Sequence, residues 1–381
     1  MDFELNEEQR MVRDMVRDFA QKEVAPRAAL VDKTEEFPAE NIRQMGELGL
    51  LGLPYPERYG GGGGDYLSYA IAVEEIARAC GSTALIYAAH VSLGCGPIYS
   101  FGSEEQKQKW LPRLCTGRGL GAFGLTEPQA GSDAGSTRTV AVRDGDEYIL
   151  NGSKMWITSG AIADVVTCTA KTDPQAGTRG ISCFLVERGM EGFIPGKNEP
   201  KMGLKGSVTS ALTLEDCRVP AKNLLGAEGE GFKQMLITLD AGRISIGAMA
   251  LGLGQAALDE ATRYAKERVQ FGQPIAKFEA IQWMIADMAT ELDAARLMVY
   301  RAAARKDAGL RFTKEAAMAK LYASEAAERA AYKALQVHGG YGYSREYPVE
   351  RIYRDQRLCA IGEGTSEIQR LVIARQVLGK L

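Results

Sequence analysis

The spacing of hydrophobic positions changes twice along the chain. From Glu7 to about Phe101 apolar residues recur three and four apart, as in Met11, Met15 and Phe19 and again in Ile42, Met45 and Leu48. This is the helical period. The turn Leu53-Pro54-Tyr55-Pro56 and the run Gly60 to Gly64 interrupt it; no Lys-Ser/Thr follows the glycines, so they read as a connection more readily than as a phosphate cradle. From about Gly121 to Leu225 β-branched runs take over: Val165 to Thr169, Ile181 to Val186 and Leu212 to Leu214. Turn signals at Asp144-Gly145-Asp146, Asn151-Gly152, Asp173-Pro174 and Gly189 separate them. No helical pattern lies between these strands, which predicts an antiparallel unit and disfavours a doubly wound parallel sheet. From about Gly231 onward the helical period returns, in Ile246, Met249, Leu253, Ala257, Ala261 and Tyr264 and in Ile281, Met284, Met288 and Leu292. Long packed helices are expected there.

At 381 residues the chain suits two or three domains. With 46 Lys+Arg against 49 Asp+Glu the formal charge is −3, and no long basic run is present. That removes the electrostatic footprint of a nucleic-acid or anionic-membrane binder. No stretch approaches 20 uninterrupted apolar residues, and Met1 to Arg10 lacks a signal-peptide layout. A cytoplasmic or mitochondrial-matrix protein is expected. Seven scattered cysteines without a CxxC pair point to reduced thiols. His90 and His338 are the only histidines, too few for a His-based metal site, so no metal is expected. The chemistry must come from carboxylates or a cofactor.

Gly119-Leu120-Gly121-Ala122-Phe123-Gly124 matches GxGxxG, but no strand precedes it and no helix follows, so a dinucleotide fingerprint is disfavoured. The continuation Leu125-Thr126-Glu127-Pro128 to Gly131-Ser132-Asp133 is rich in hydroxyls and glycines, which suits close approach to a phosphate or a polar ring edge; a plain turn-rich loop fits too. Met155-Trp156-Ile157-Thr158 ends a strand with an aromatic and a hydroxyl, either a wall for a ring cofactor or a core Trp. Near the C-terminus Gly362-Glu363-Gly364 sets an acid between glycines ahead of a helix, with Ser366 and Gln369 at capping-box spacing. Such an acid can be aimed into a cleft, or can simply favour the helix dipole.

Together these segments resemble the acyl-CoA dehydrogenase family over essentially the whole chain. The resemblance rests on Leu125-Thr126-Glu127-Pro128 with Gly131-Ser132-Asp133, on Trp156-Ile157-Thr158, on Arg268-Val269-Gln270-Phe271-Gly272, on Gln336-Val337-His338-Gly339-Gly340, and on Glu363-Gly364-Thr365-Ser366-Glu367. It implies an α+β fold, mainly α, with an N-terminal helical domain (1–120), a middle antiparallel β domain (121–229) and a C-terminal four-helix bundle (230–381). A homotetramer (dimer of dimers) with one FAD per subunit is also implied.

By that resemblance Leu125, Thr126, Ser132, Trp156 and Thr158 line the flavin. Arg268, Gln270, Phe271, Gln336, Gly339 and Gly340 reach the pyrophosphate and adenosine across a subunit interface, and Thr365 and Glu367 add further FAD contacts. Ser132, Asp240, Arg243, Gly364 and Arg375 resemble the acyl-CoA contacts. The implied reaction is α,β-dehydrogenation of an acyl-CoA to the 2-enoyl-CoA. Glu363 would take the α-proton, the β-hydrogen would leave as hydride to flavin N5, and electrons would pass on to electron-transferring flavoprotein.

Some relatives carry the base at the position of Gly242, which here has no side chain. Straight-chain members usually have Tyr where this chain has Gly362, so a branched or cyclic acyl group is favoured. An oxidase or a 1,4-dehydrogenase of a cyclic acyl-CoA would share the scaffold. A DNA-associated flavin-binding relative would carry a basic extension beyond this C-terminus. His90 borders the acyl pocket in relatives, but a structural histidine is the better reading.

Overall fold

A computed structural model describes residues 4–379; the ends of the expected first and last domains, 1–3 and 380–381, lie outside the described residues. Seven helices come first: α1 (Glu7–Phe19), α2 (Ala25–Thr34), α3 (Ala39–Glu47), α4 (Tyr66–Ala79), α5 (Gly81–Ala89), α6 (Gly96–Phe101) and α7 (Glu104–Cys115). Their starts follow from local chemistry. Asn6 and Gln9 form a reciprocal capping box on α1, Ser103 and Gln106 another on α7, and the Asp65 carboxylate accepts from the Ser68 N–H to open α4.

The middle third holds eight strands: β1 (Gly121–Gly124), β2 (Val140–Asp144), β3 (Glu147–Thr158), β4 (Val165–Lys171), β5 (Ile181–Glu187), β6 (Phe193–Asn198), β7 (Thr209–Pro220) and β8 (Leu224–Leu225). They form one sheet in the order β6-β7-β3-β2-β4-β5-β8, with β1 pairing β4. Most pairs are antiparallel, as expected, but β1 runs parallel to β4 and β2 meets β4 in parallel at one residue pair. The glycines of the GxGxxG match lie in and beside β1, and Gly121 packs on Gly94. Gly121 thus serves close strand-to-helix contact, whereas Gly124 makes room for Cys168 of β4 and Gly119 faces Asp164.

Asn151-Gly152 is not a turn. Both lie inside β3 at a register shift against β7, where Asn151 exchanges two hydrogen bonds with Asp216. A Cβ on Gly152 would stand 2.4 Å from Thr139 Oγ1, so close backbone approach is what the glycine serves. Asp144-Gly145-Asp146 does form the β2–β3 hairpin, with Gly145 at φ 60°.

The last third folds into α8 (Gly231–Glu267), α9 (Glu279–Asp307), α10 (Thr313–His338), α11 (Val349–Gln356) and α12 (Ser366–Leu378). α8 packs on α9 and α10, and α12 lies on α10. α4 also lies along α8, so both helical regions share a single apolar core, while the sheet has a second. At their crossing Gly252 comes so near that a Cβ would sit 2.2 Å from Glu74 O. Arg296 and Tyr300 of α9 donate to the buried Glu74 carboxylate, which ties the N-terminal helices to the last third. Gly81–Phe101 and Gly231–Glu267 are long and apolar enough to cross a membrane, and 72% of each apolar window is buried inside the protein. All seven cysteines are unpaired and buried.

Candidate active site

Glu363 sits just ahead of α12 at φ 53°, followed by Gly364 at φ 91°. Two left-handed residues in a row turn the acid back toward the helices instead of leaving it on the helix-start face. The N-cap of α12 is Thr365, whose hydroxyl accepts from the Ile368 N–H at 3.4 Å, and not the expected Ser366. Gln369 is released from capping and instead donates to the carbonyls of Gly364 at 2.7 Å and Glu363 at 3.3 Å. Lys320 of α10 donates to the same Gly364 carbonyl at 2.8 Å.

The Glu363 carboxyl lies on the bare Cα of Gly242 in α8: a Cβ there would be 1.9 Å from Glu363 Oε2. A side chain at position 242 would therefore collide with the Glu363 carboxyl. Oε2 is sealed from solvent and has no hydrogen-bond partner. Burial drives the acid's pKa up to about 7, against the pull of the Lys320 and Arg243 charges. A carboxylate that is desolvated, unpaired and half-ionised near neutrality is poised as a general base.

Asp240 and Arg243, one turn apart on α8, pair with each other at 2.6 Å, and Thr313 donates to the other Asp240 oxygen at 2.5 Å. The Arg243 Nε is buried without a partner. Gly364 lies beside the base, whereas Arg375 is exposed in the last turn of α12.

A second group gathers at the sheet. The Met155 N–H donates to Thr126 O at 2.8 Å, which brings Leu125 and Thr126 alongside the Trp156 to Thr158 segment. The β3 register shifts there, Trp156 takes φ 60°, and the residue is 57% exposed. The core-Trp alternative therefore fails, and an exposed indole with half-buried Thr126 and Thr158 is available to a flat heterocycle. Ser132 is exposed on the following loop.

That loop is pinned by a buried ion pair absent from the sequence reading. Lys154 Nζ meets Glu127 at 2.7 Å, and Glu127 also accepts from the Thr137 and Thr139 hydroxyls and from the Arg138 and Thr139 N–H groups. Burial would raise the carboxyl, but Lys154 and the threonines bring it down to about 2. Its stabilisation is complete above the ordinary carboxyl range and fades as pH falls toward 2. Lys154→Met should cost about 3–5 kcal/mol by stranding that carboxylate, measured as a drop in unfolding free energy in urea.

A third group lines a cleft of about 610 Å³ between the end of α8 and the end of α10. Arg268, Gln270, Gly339 and Gly340 share it, and the Arg268 guanidinium lies 5.3 Å from the centre of the Tyr341 ring. Gly339 and Gly340 have no atom near their Cβ directions, so bare backbone faces open space. Gln270 and Phe271 belong to a hairpin of two short strands, β9 (Val269–Gln270) and β10 (Gln273–Pro274). Phe271 at its tip is 92% exposed. Gln336 is exposed and outside the cleft lining, while Thr365 is half-buried and Glu367 exposed at the start of α12. A guanidinium beside open glycine backbone suits phosphate oxygens, and the exposed indole with its hydroxyls suits a flavin, so the residues present fit FAD. Among the described residues no group of three or more His, Cys, Asp or Glu is placed to hold a metal ion.

Models of the acyl-CoA dehydrogenase N-terminal, middle and C-terminal domains match residues 6–118, 122–217 and 229–378. The chain belongs to the acyl-CoA dehydrogenase family. It is 59% identical over 379 residues to a probable acyl-CoA dehydrogenase, YngJ, of Bacillus subtilis, covering 99% of this chain and 100% of the relative. The butyryl-CoA dehydrogenase structure of Megasphaera elsdenii superposes with a TM-score of 0.97 at 46% identity, covering 99% and 100% of the two chains. A chain from a structural study of the electron transferring flavoprotein of Acidaminococcus fermentans superposes with a TM-score of 0.99 at 49% identity, over the whole of both chains. As a member of the family the protein is an oxidoreductase and a flavoprotein with FAD as its cofactor.

Lys154 and Lys320 were detectable in principle. Lys154 falls on the inward alternation Tyr148, Leu150, Gly152, and Lys320 on the helical spacing Ala316, Ala323, Ala327. A lysine on an inward-facing stripe needs a partner. His90 is buried between Leu114 O, 3.0 Å from Nε2, and the Gly121 N–H, which donates to Nδ1 at 3.2 Å. Burial pulls it down to about 4, so it is a neutral strut joining α7 to β1.

Proposed function

We propose that this protein dehydrogenates a short acyl-CoA across its α and β carbons, with Glu363 as the base that takes the α-proton. The observation that carries this reading is the Glu363 carboxyl itself, whose Oε2 is sealed and unpartnered and rests on Gly242, with a pKa near neutrality. Bound FAD supplies the acceptor for the hydride lost from the β-carbon. The chain supplies the rest. Glu363 removes the proton as a carboxylate, so the population competent to react grows as pH rises through about 7. The clamp on Gly364 O fixes where that carboxylate points. Leu125, Thr126, Ser132, Trp156 and Thr158 hold the reactive ring, and Arg268, Gln270, Phe271, Gln336, Gly339 and Gly340 the rest of the cofactor, with Thr365 and Glu367 contributing beside the base. Ser132, Asp240, Arg243, Gly364 and Arg375 are assigned to the thioester.

A short acyl group agrees with the likeness to a butyryl-CoA dehydrogenase. Branched or cyclic groups are also within range. The atoms nearest a Cβ on Gly362 belong to Leu358, at an ordinary 3.6 Å, so the backbone admits a side chain that the sequence omits. Room near the reacting carbons is thus a property of this residue and not of the loop. We assign electron-transferring flavoprotein as the acceptor, in line with the Acidaminococcus neighbour, in the cytoplasm or mitochondrial matrix. Exposed Phe271, Trp283 and Tyr332 are surfaces that copies in a homotetramer would cover.

The test is an anaerobic visible spectrum of the FAD-loaded protein titrated with butyryl-CoA, a branched acyl-CoA and an alicyclic acyl-CoA. Prompt bleaching by short thioesters is expected, and bleaching by none would refute the reading. Strong preference for butyryl-CoA would remove the branched and cyclic part. Gly362→Tyr should lower kcat/KM for the branched or cyclic thioester about 10–200-fold relative to butyryl-CoA, the range a misfitting apolar group commands.

A further inference from the structure

Lys320 is fully buried in α10, and it donates to a neutral carbonyl, Gly364 O, at 2.8 Å. The other fully buried lysine among the described residues, Lys154, has a carboxylate 2.7 Å away. Burying an ammonium costs several kcal/mol unless an opposite charge offsets it. The Gly364 carbonyl does not need a cation, because Gln369 already donates to it at 2.7 Å. That carbonyl belongs to the Gly364–Thr365 peptide, one residue beyond Glu363, and both Glu363 and Gly364 are held in left-handed conformations, which for Glu363 is one that an L side chain seldom adopts. Lysine and glutamine, from α10 and α12, close on the Gly364 carbonyl from two elements, Gln369 also reaches the Glu363 carbonyl at 3.3 Å, and together they hold the left-handed turn that carries the base.

We propose that Lys320 is a positioning residue for the base: its N–H fixes the Gly364–Thr365 peptide next to Glu363, and its buried ammonium favours the carboxylate form of the base. The inference rests on Glu363 being the base. The groups facing the carboxyl are few. Arg243 approaches from α8, but Asp240 offsets its charge at 2.6 Å. The Tyr66 and Tyr69 phenols of α4 are pushed up by burial and stay neutral, as does the Cys359 thiol, pushed up to about 12. Exposed Glu367 acts on Lys320 from the start of α12. Lys320 is therefore the cation near the base without a carboxylate of its own. Burial brings it down to about 8, still protonated where Glu363 ionises.

The experiment follows the rate of anaerobic bleaching against pH in FAD-loaded wild type, K320Q, K320M and K320R. Gln keeps a donor for Gly364 O, Met keeps only bulk, and Arg keeps the charge. The wild-type rate should fall as pH drops through about 7. In K320Q and K320M that limb should move up by about one pH unit or more, since an opposite charge nearby is worth roughly 1–3 units. In K320R it should stay with wild type. A purely structural lysine would lower the rate at every pH and leave the limb in place, which overturns the proposal. Failure of both neutral variants to fold while K320R folds would assign the charge to packing and overturn it as well. If wild type itself is bleached by no acyl-CoA, the proposed function has failed; if wild type is bleached and the limb does not move, only the role of Lys320 has.

Discussion

Glu363→Gln should bind FAD and thioester yet bleach at least about 10³-fold more slowly than wild type, because the amide keeps the shape and loses the proton acceptor. The change is close to isosteric, and Oε2 has no hydrogen bond to lose. The fold should survive it. Rapid mixing with the best acyl-CoA under anaerobic conditions reads the rate, and retained bleaching would remove Glu363 as the base. A second readout comes from linkage. Between the ordinary carboxyl value of 4.5 and about 7 the folded protein holds a proton on Glu363 that the unfolded chain has released. Stability from this group is therefore present at low pH and declines as pH rises across that window. In the Gln variant that decline should disappear, so its unfolding free energy near neutrality should equal or exceed that of wild type.

The helix, sheet, helix order was legible because each third has a clean hydrophobic period. What the period could not show was pairing between distant segments. β1 carries only four residues at the start of the β region, and nothing in its period shows that it lies parallel on β4. Asn151-Gly152 has the composition of a turn, and only the approach of Thr139 and Asp216 reveals it as strand. The site shows the same division. Gly362-Glu363-Gly364 marks an acid with unusual backbone freedom, but its direction depends on Lys320 and Gln369, which come from other helices or other turns. Trp156 was open between wall and core, because exposure depends on a bulge that composition does not encode. Arg268 and Gly339 lie far apart in sequence and meet only because α8 and α10 end at the same cleft.

Gly242→Ala should lower the bleaching rate about 10²-fold while the protein stays folded and yellow. An added methyl would stand 1.9 Å from Glu363 Oε2, 2.8 Å from its Cδ and 3.2 Å from Leu93 Cδ2. Something must move, and α8 is the least able to: it runs 37 residues and is packed by α4, α9 and α10. The Glu363 side chain is the mobile partner, so the carboxylate is displaced from its seat. Misplacement of a reacting group by about 1 Å costs on the order of 10²-fold. The effect on stability has two opposed parts. Alanine favours a helix interior by about 1 kcal/mol over glycine, whereas overpacking costs about 1–3 kcal/mol. The melting temperature should thus change little compared with the rate. Parallel melts and stopped-flow traces separate the two, and a variant within a few-fold of wild type would mean that the working carboxylate does not rest on Gly242.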